Sequence, residues 1–213
     1  MTTGPVRRRP AAVGRPPVRH AGPGHHRERS EDDGVGGHTA GVTLARFVLP
    51  APPPIDALTL GVTERGLALV AFGDRPDVVA RAAARLGGPA VDDPARTDAA
   101  AEQVAAYLAG ARRAFDLDLD WALTAGLRRR VLEALHATVP FGATATYGEL
   151  ARRAGVASPR GIGSVMGSNP LPVVVPCHRV LGADGLGGFG GGRAVKEWLL
   201  AHEGLLTPAL EFP

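Results

Sequence analysis

The sequence predicts a small α/β domain followed by a mostly α-helical domain with a helix-turn-helix, with a disordered tail in front of both. Three observations predict this: a Gly- and Pro-rich start, short alternating runs that give way to alanine-rich helical patterns, and helix-capping residues further on. A chain of 213 residues has room for one large domain or two small ones. We expect a tail over 1–42, an α/β domain over 43–120 and a helical domain over 121–213.

Residues 1–42 have the composition of a disordered tail. They hold eight glycines and five prolines but no aromatic residue, so they cannot bury enough apolar surface to offset the entropy lost on ordering. Seven arginines stand against four acidic residues. Four of the seven histidines also lie here, but a basic solvated tail is favoured over a metal site because no ligand spacing and no cysteine accompany them.

The expected α/β domain shows alternating apolar runs, typical of strands, and alanine-rich stretches bounded by Gly, typical of helices. The predicted elements are strands over 58–62 and 67–72, helices over 77–86 and 98–113, and a half-buried strand over 115–119 whose aspartates face solvent. This segment shows no catalytic constellation.

The helical domain begins with an apolar stripe formed by Leu127, Val131, Leu132 and Leu135. Further along, Thr146 and Glu149 form a capping box, which predicts a helix from Tyr147 to about Ala154. Ser158 then predicts the cap of a second helix, with Pro159 at its first position and Asn169-Pro170 after its end near Ser168. Two short helices across a tight turn suggest a helix-turn-helix, although any helical hairpin fits equally well.

Cys177 is the only cysteine, which excludes a disulfide framework and a multi-cysteine zinc site and fits a reducing compartment, the cytoplasm. Val173 to Val175 predict a buried extended segment before it. A lone cysteine is usually an inert core residue. Here His178 and Arg179 follow directly, and such neighbours lower the pKa of a thiol, so we expect the sulfur to be held ionised.

Glu203 lies at the edge of the apolar stripe of the last helix, four residues after Leu199. A carboxylate there is partly buried and needs a partner. It could hold the ring of His178, as in a nucleophile triad, or it could pair with an arginine. Both alternatives remain open from the residues alone.

Several motifs of the second half occur together in one known family. They are Asn169-Pro170, the run from Val175 to Val180, Gly191-Gly192, Lys196, Leu199 to Gly204, Val139 to Gly142 and Tyr147. On these residues the chain resembles the DNA-repair alkyltransferases, the methylated-DNA–protein-cysteine methyltransferases. The resemblance covers about residues 126–205, and the segment before it matches only loosely.

The resemblance implies a single-use transfer of an alkyl group from 6-O-alkylguanine, and less so from 4-O-alkylthymine, to the protein's own cysteine. Cys177 is the implied acceptor, since an alkyl carbon on an aryl ether needs a strong nucleophile such as a thiolate. His178 is implied to take the thiol proton through a water, and Glu203 to orient the histidine. Tyr147 is implied to donate a proton or hydrogen bond to the purine, and Asn169 to brace the turn before the cysteine.

The implied partner is double-stranded DNA, bound through the minor groove, where sequence readout is degenerate. The damaged base must be flipped out of the stack, at a cost of a few kcal/mol. In the family an arginine fills the vacated stack, and Arg160 occupies that position. DNA contacts are also expected from Tyr147, Arg128, Ser158 and Gly163.

The residues implied to line the substrate pocket are Met166, Pro172, Val180, Phe189 and Gly190. Two of them depart from the family pattern: Phe189 stands where tyrosine is common, and Gly190 where serine is frequent. Gly167 stands where some relatives have arginine. These departures concern substrate range and affinity rather than the class of reaction.

Charge and composition constrain the remaining function classes. The net charge of +3 lies in the tail, and the residues from 126 onwards hold nine basic against six acidic residues, which attracts a polyanion weakly. No run approaches the ~18 apolar residues of a membrane span. We expect a monomer without a protein partner, metal or cofactor.

Three alternatives compete with the transferase. Gly185 to Gly190 satisfies the dinucleotide fingerprint G-x-G-x-x-G, but the second parallel strand that this fingerprint requires does not follow. A cysteine hydrolase would turn over many times. A non-catalytic lesion-binding protein is disfavoured because such relatives lack the cysteine that Cys177 provides here.

Overall fold

A computed structural model describes residues 41–157, 160–182 and 185–206, without the side chain of Arg160. The predicted disordered tail therefore lies almost wholly outside the described residues, as do Ser158 and Pro159. Val42, assigned to the tail, is instead the first residue of a strand. No helix in the described ranges is long and apolar enough to cross a membrane.

A four-stranded sheet forms the α/β part. Its strands are β1 (Val42–Pro50), β2 (Ala57–Thr63), β3 (Gly66–Phe72) and β4 (Gly87–Asp92), in the order β3-β2-β1-β4. β1 pairs antiparallel with β2 and parallel with β4, while β2 and β3 form an antiparallel hairpin. The hairpin confirms the two strands that the alternating pattern predicts, whereas β1 and β4 were not predicted.

Two helices accompany the sheet, α1 (Pro76–Leu86) and α2 (Pro94–Leu108). α1 agrees with its prediction and ends at Gly87, whose φ of 76° allows the left-handed cap. α2 begins and ends about four residues earlier than predicted. Pro94 occupies its first turn, and the left-handed Gly110, at φ 75°, prevents the helix from continuing.

The predicted strand over 115–119 is wrong, although its alternation of burial is right. Phe115, Leu117 and Leu119 are half-buried and the aspartates between them are exposed, but only one bridge, Leu67 to Leu119, joins the segment to β3. Asp120 breaks the pattern because it is buried. Its carboxylate accepts a hydrogen bond from Thr63 at 2.7 Å and pairs with Arg65 at 3.1 Å.

The second half is helical, with one small parallel strand pair. The elements are α3 (Gly126–Thr138), β5 (Ala145–Thr146), α4 (Tyr147–Arg153), α5 (Arg160–Gly167), β6 (Val180–Leu181) and α6 (Arg193–His202). In α3 the predicted stripe buries Val131, Leu132 and Leu135, but Leu127 is 45% exposed and does not belong to it.

The capping box is confirmed: Thr146 Oγ1 accepts from the amide of Glu149, and the Glu149 carboxylate accepts from the amide of Thr146. α4 begins at Tyr147 as predicted. α5 ends at Gly167, just before Asn169-Pro170, which disfavours further helix.

The hydrophobic core joins the sheet to the later helices. One cluster of buried side chains includes Leu60 from β2, Val104 from α2, Leu132 from α3 and Leu199 from α6. A smaller cluster lies between α1 and the sheet, around Leu44 and Val79. The segments on either side of residue 120 therefore share apolar contacts, which fixes α2 against the end of α6.

Candidate functional site

Cys177 begins a single 3₁₀ turn, Cys177–Arg179, that follows a tight backbone turn. Val173 to Val175 are buried as predicted, but they are not extended: the amide of Val175 donates to the carbonyl of Leu171 at 2.7 Å. Val173 has φ 74°, a costly left-handed conformation for a β-branched residue. The chain therefore turns sharply just before the cysteine and is held there by its surroundings.

Asn169 provides part of that support. Its Nδ2 donates to the carbonyl of Val175 at 2.8 Å, and its Oδ1 accepts from the amide of Leu171 at 3.0 Å. The amide of Val70 in β3 also donates to the carbonyl of Pro170 at 2.7 Å. These bonds tie the end of α5 and the sheet to the backbone turn over residues 171–177, the cysteine turn.

His178 is fully buried and is held by Glu203. Its Nε2 lies 2.8 Å from Oε1 of Glu203. Because an ionised carboxylate only accepts, Nε2 must carry the proton, and the neutral ring then has an unprotonated Nδ1. That Nδ1 is buried and has no hydrogen-bond partner among the described residues. The ring is thus left with one free acceptor atom, on the residue next to Cys177.

Arg179 binds the same carboxylate, so both partners considered for Glu203 are present. Its Nε and Nη2 each lie 2.9 Å from an oxygen of Glu203, and its Nη1 donates to the carbonyl of Val139 at 2.7 Å. The amide of Gly142 also donates to Oε2 of Glu203 at 3.2 Å. This is the fully hydrogen-bonded arrangement that a buried ion pair requires.

These contacts set the protonation of the pair. Burial alone raises the pKa of Glu203, but hydrogen bonds from His178 and Arg179 outweigh it and lower that pKa to about 2. Burial lowers the pKa of His178, and the hydrogen bond to Glu203 opposes this only in part. At neutral pH the pair therefore consists of a carboxylate and a neutral imidazole.

The expectation that the sulfur is held ionised is wrong for the free protein. Burial raises the pKa of Cys177, and the side chain of Asn169 and the charge of Lys196 lower it only in part. Cys177 is 5% exposed, so water solvates the thiolate poorly. The thiol is therefore neutral at rest and needs a base to ionise it.

Lys196 is the only lysine of the chain and is buried in α6. Its ammonium donates to the carbonyl of Val180 at 2.8 Å and to that of Leu186. Burial lowers the pKa of Lys196, and the nearby Cys177 raises it in part. The lysine joins β6 to the glycine-rich loop, residues 185–192, which precedes α6.

Cys177 opens on two cavities. One of about 370 Å³ lies between α4, α5 and the glycine-rich loop, and a second of about 500 Å³ reaches the same sulfur-bearing residue from β3 and α1. Both volumes are in the range of small-molecule sites. The residues that line the smaller cavity are Tyr147, Gly163, Met166, Gly167, Cys177, Gly188, Phe189 and Gly190.

Four of the five expected pocket residues line these cavities. Met166, Phe189 and Gly190 line both, and Pro172 lines the larger one. Val180 lines neither: it is fully buried in β6 and meets the site through its carbonyl, which Lys196 binds.

The glycine-rich loop closes against Tyr147. At Gly187, which has φ 71°, an added Cβ would lie 3.1 Å from the Tyr147 hydroxyl, so both backbone conformation and space favour glycine. Burial raises the pKa of Tyr147, and the negative charge that Cys177 carries once it is ionised raises it further. Phe189 packs edge-to-face on Phe72 of β3, with ring centroids 5.4 Å apart.

Of the expected DNA-contacting residues, Tyr147 and Gly163 line the same cavity. Arg160 is the first residue of α5, Gly163 is exposed on the same helix, and Tyr147 begins α4. Arg128 is partly exposed near the start of α3.

Two contributors to the site escaped the sequence reasoning. Tyr107 of α2 donates its hydroxyl to Oε1 of Glu203 at 2.7 Å, and Gly142 donates its amide to Oε2. A tyrosine within a helical apolar pattern signals a buried hydroxyl that needs a partner, but nothing local names the partner. Among the described residues, no group of His, Cys, Asp and Glu is arranged to hold a metal ion.

Comparison with known proteins decides the family. A family model described as 6-O-methylguanine DNA methyltransferase, DNA binding domain, matches residues 126–205. The methylated-DNA–protein-cysteine methyltransferase of Mycolicibacterium paratuberculosis is 44% identical over 120 residues, which are 55% of this chain and 72% of the relative. The chain belongs to this family.

Two further relatives are similar to this chain over most of their own length. Crystal structures of Mycobacterium tuberculosis O6-methylguanine methyltransferase and of Mycobacterium tuberculosis OGT in complex with DNA are both 34% identical to this chain and have TM-scores of 0.63 and 0.60. They cover 78% and 76% of this chain, and 96% and 92% of their own. A DNA base-flipping protein of Thermus thermophilus is 46% identical over 107 residues, 49% of this chain and 71% of that protein.

Proposed function

We propose that this methyltransferase-family protein repairs double-stranded DNA by moving an alkyl group from 6-O-alkylguanine, and less readily from 4-O-alkylthymine, to Sγ of its own Cys177. One observation carries the proposal. Cys177 opens on the cavity that Tyr147 lines, while the adjacent His178 is fixed by Glu203 with Nδ1 unpartnered among the described residues.

The transfer forms one S–C bond and breaks one C–O bond. The thiol proton of Cys177 passes through a water to Nδ1 of His178, and the thiolate then attacks the alkyl carbon. The electron pair of the broken bond remains with guanine, which leaves as a neutral base after Tyr147 gives it a proton. The imidazolium proton then returns to Tyr147 through solvent, so the thioether on Cys177 is the one lasting change.

Burial of the thiol is compatible with this sequence of steps. The raised pKa of Cys177 keeps the sulfur neutral until a substrate is present. When the proton moves, Glu203 stabilises the imidazolium that forms on His178, as an orienting carboxylate does in a nucleophile triad. No step regenerates the thiol, so each molecule acts once.

The remaining roles follow the family pattern. α4 and α5 act as a helix-turn-helix on the minor groove, with Arg160 replacing the flipped base and Arg128, Ser158 and Gly163 near the backbone. Met166, Pro172, Phe189 and Gly190 form the wall around the alkyl group, and Asn169 braces the turn. Our proposal also includes two domains meeting near residue 120, a monomer, and action in the cytoplasm.

The acceptor can be identified directly. After incubation with an oligonucleotide containing 6-O-methylguanine, we expect the peptide with Cys177 to gain one methyl group in place of one hydrogen. Cys177→Ala should give no adduct while binding the same DNA. An adduct on another residue, or methyl loss from DNA with that variant, would contradict the assignment.

The flipping role has a separate test. Arg160→Ala should slow repair of duplex DNA more than transfer from free 6-O-benzylguanine, since only the duplex requires an extruded base. Equal losses on the two substrates would contradict the role of Arg160.

A non-catalytic lesion-binding protein is the second candidate, because the relative from Thermus thermophilus is named a DNA base-flipping protein. Binding of lesion DNA by wild-type protein without any adduct would favour it. Repeated ester turnover after an initial burst would favour a cysteine hydrolase instead.

A further inference from the structure

Tyr107 connects the α/β part of the chain to the acceptor site. It lies in α2 and is 0% exposed, and its hydroxyl donates to Oε1 of Glu203 at 2.7 Å, across 96 positions of sequence. Oε1 is the same oxygen that lies 2.8 Å from Nε2 of His178. Two neutral donors from different parts of the chain thus meet at one carboxylate oxygen.

The tyrosine ring is fixed by its surroundings. Its centroid lies 5.3 Å from that of Phe115, 6.2 Å from that of Phe141 and 5.3 Å from that of His202. Nε2 of His202 lies 2.7 Å from the backbone carbonyl of Tyr107, which ties α2 to the end of α6. The hydroxyl therefore remains directed at Glu203.

This contact has a chemical consequence beyond packing. A carboxylate oxygen that accepts from a phenol shares its charge with that donor and attracts a second donor less strongly. Arg179 Nη2 also donates to Oε1 of Glu203, at 2.9 Å. With Tyr107 bound as well, Oε1 therefore holds the imidazole proton less tightly than it would with Arg179 as its only other partner. The strength of that hold sets how readily Nδ1 of His178 takes a further proton.

We propose that Tyr107 is a positioning residue of the acceptor site, which holds Oε1 of Glu203 in line with His178 and limits its pull on the imidazole. The inference rests on the proposed alkyl transfer. It gives the α/β part of the chain a role in the chemistry of Cys177 besides its contribution to the cavity wall.

Other charged or titratable groups also face this cluster, and the effect of Tyr107 adds to theirs. They are Cys177, His178 and Arg179 from the 3₁₀ turn, and Lys196 and His202 from α6, with the amide of Gly142 as a neutral donor. Tyr107→Phe leaves all of these side chains and this amide in place and removes only the phenol hydroxyl.

The experiment is the pH dependence of transfer from free 6-O-benzylguanine, followed by the mass of the protein, in wild type and Tyr107→Phe. The variant keeps the ring and loses only the hydroxyl. Glu203 then attracts the imidazole proton more strongly, and the acidic limb of the rate profile should move to higher pH by roughly half a unit. Phe115→Leu, which loosens the packing of the same ring, should leave the limb in place.

A second measurement strengthens the hydrogen bond from Tyr107 to Glu203 instead of removing it. The chain has two tyrosines, so 3-fluorotyrosine incorporated into Tyr147→Phe labels Tyr107 alone. Because Tyr147 is the proposed proton donor to guanine, the readout in this background is the protonation of His178, followed by NMR of its ring, and not a transfer rate. A fluorinated phenol is a stronger donor, so His178 should take up a proton at lower pH than in unlabelled Tyr147→Phe. If circular dichroism shows that Tyr107→Phe does not fold, this labelled protein alone tests the role of Tyr107.

The outcomes separate the two proposals. If wild type gains no adduct, the alkyl transfer itself is wrong. If wild type reacts but the acidic limb is the same in Tyr107→Phe, or the pH at which His178 takes up a proton does not move on fluorination, the role of Tyr107 is wrong. If the acidic limb moves equally far in Phe115→Leu, Tyr107 acts only through packing and the proposed role of its hydroxyl is wrong.

Discussion

Nε2 of His178 lies 2.8 Å from Oε1 of Glu203 inside a cluster from which both side chains are excluded from solvent. This contact determines which nitrogen of the ring carries the proton. Nε2 donates, so Nδ1 is the acceptor, and it belongs to the residue that directly follows Cys177. The contact therefore links a carboxylate at the end of α6 to the protonation of the thiol.

Glu203→Gln should damage both stability and chemistry. The amide leaves the buried charge of Arg179 without its carboxylate, which should cost about 3–5 kcal/mol of unfolding free energy. It also presents either an N–H or an oxygen to His178, so the ring is no longer held in one tautomer, and transfer should fall on the order of 100-fold or more. Urea unfolding and single-turnover rates measure the two effects.

The matched control is Glu133→Gln. Glu133 pairs with Arg129 at 2.7 Å on the exposed face of α3, so its loss should change the unfolding free energy by less than about 0.5 kcal/mol. Similar losses in the two variants would contradict the distinction between the buried and the exposed pair.

Stability should fall as the pH is lowered, in two stages. The pKa of His178 is lowered in the folded protein, so the unfolded chain binds more protons as the pH falls below 6.5. The pKa of Glu203 is lowered from 4.5 to about 2, so its contribution, on the order of 3 kcal/mol, is present above pH 4.5 and is lost as the pH falls towards 2. Urea unfolding at a series of pH values tests this, and a rise in stability across the window would contradict it.

Asn169→Ala should make the thiol harder to ionise. It removes two hydrogen bonds of the cysteine turn and a side chain that lowers the pKa of Cys177. The rate of thiol alkylation by iodoacetamide, followed against pH, reports on Cys177 alone because the chain has no other cysteine. We expect a midpoint at higher pH and slower alkyl transfer. Ser168→Ala, next in the chain, should leave the midpoint unchanged.

Lys196→Met should weaken the junction between the cysteine turn and the glycine-rich loop. The carbonyls of Val180 and Leu186 lose their shared donor, at a cost of about 1–3 kcal/mol, and transfer should slow. Lys196→Arg should not restore the rate, because a planar guanidinium does not fit the place of a compact ammonium. Arg193→Met, on the exposed face of the same helix, serves as the control, and an equal effect there would contradict the account.

Features encoded over a few residues were predictable from the sequence. The capping box joins Thr146 to Glu149 within one helical turn, and the end of α5 lies at Asn169-Pro170, where proline disfavours further helix. The family motif likewise singled out Cys177, His178 and Glu203 as candidates, and the structure places His178 Nε2 2.8 Å from Glu203. These signals are short in sequence, so no knowledge of packing is needed to read them.

Features that depend on distant partners could not be predicted. β1 becomes a strand by pairing with β2 and β4. β4 pairs only with β1 among the described strands, and it contains Gly and Pro that argue against a strand when read alone. The partner of Tyr107, Glu203, lies 96 positions further along the chain. The pKa of Cys177 depends on how deeply the fold buries the sulfur, which adjacency to His178 does not reveal.

The most direct test of the account is the number of alkyl groups that one protein molecule accepts from an excess of 6-O-methylguanine DNA. The account predicts a single group per molecule, attached to Cys177, after which the reaction stops. Continued demethylation beyond one group per molecule, or bound DNA with an unmodified Cys177, would contradict it.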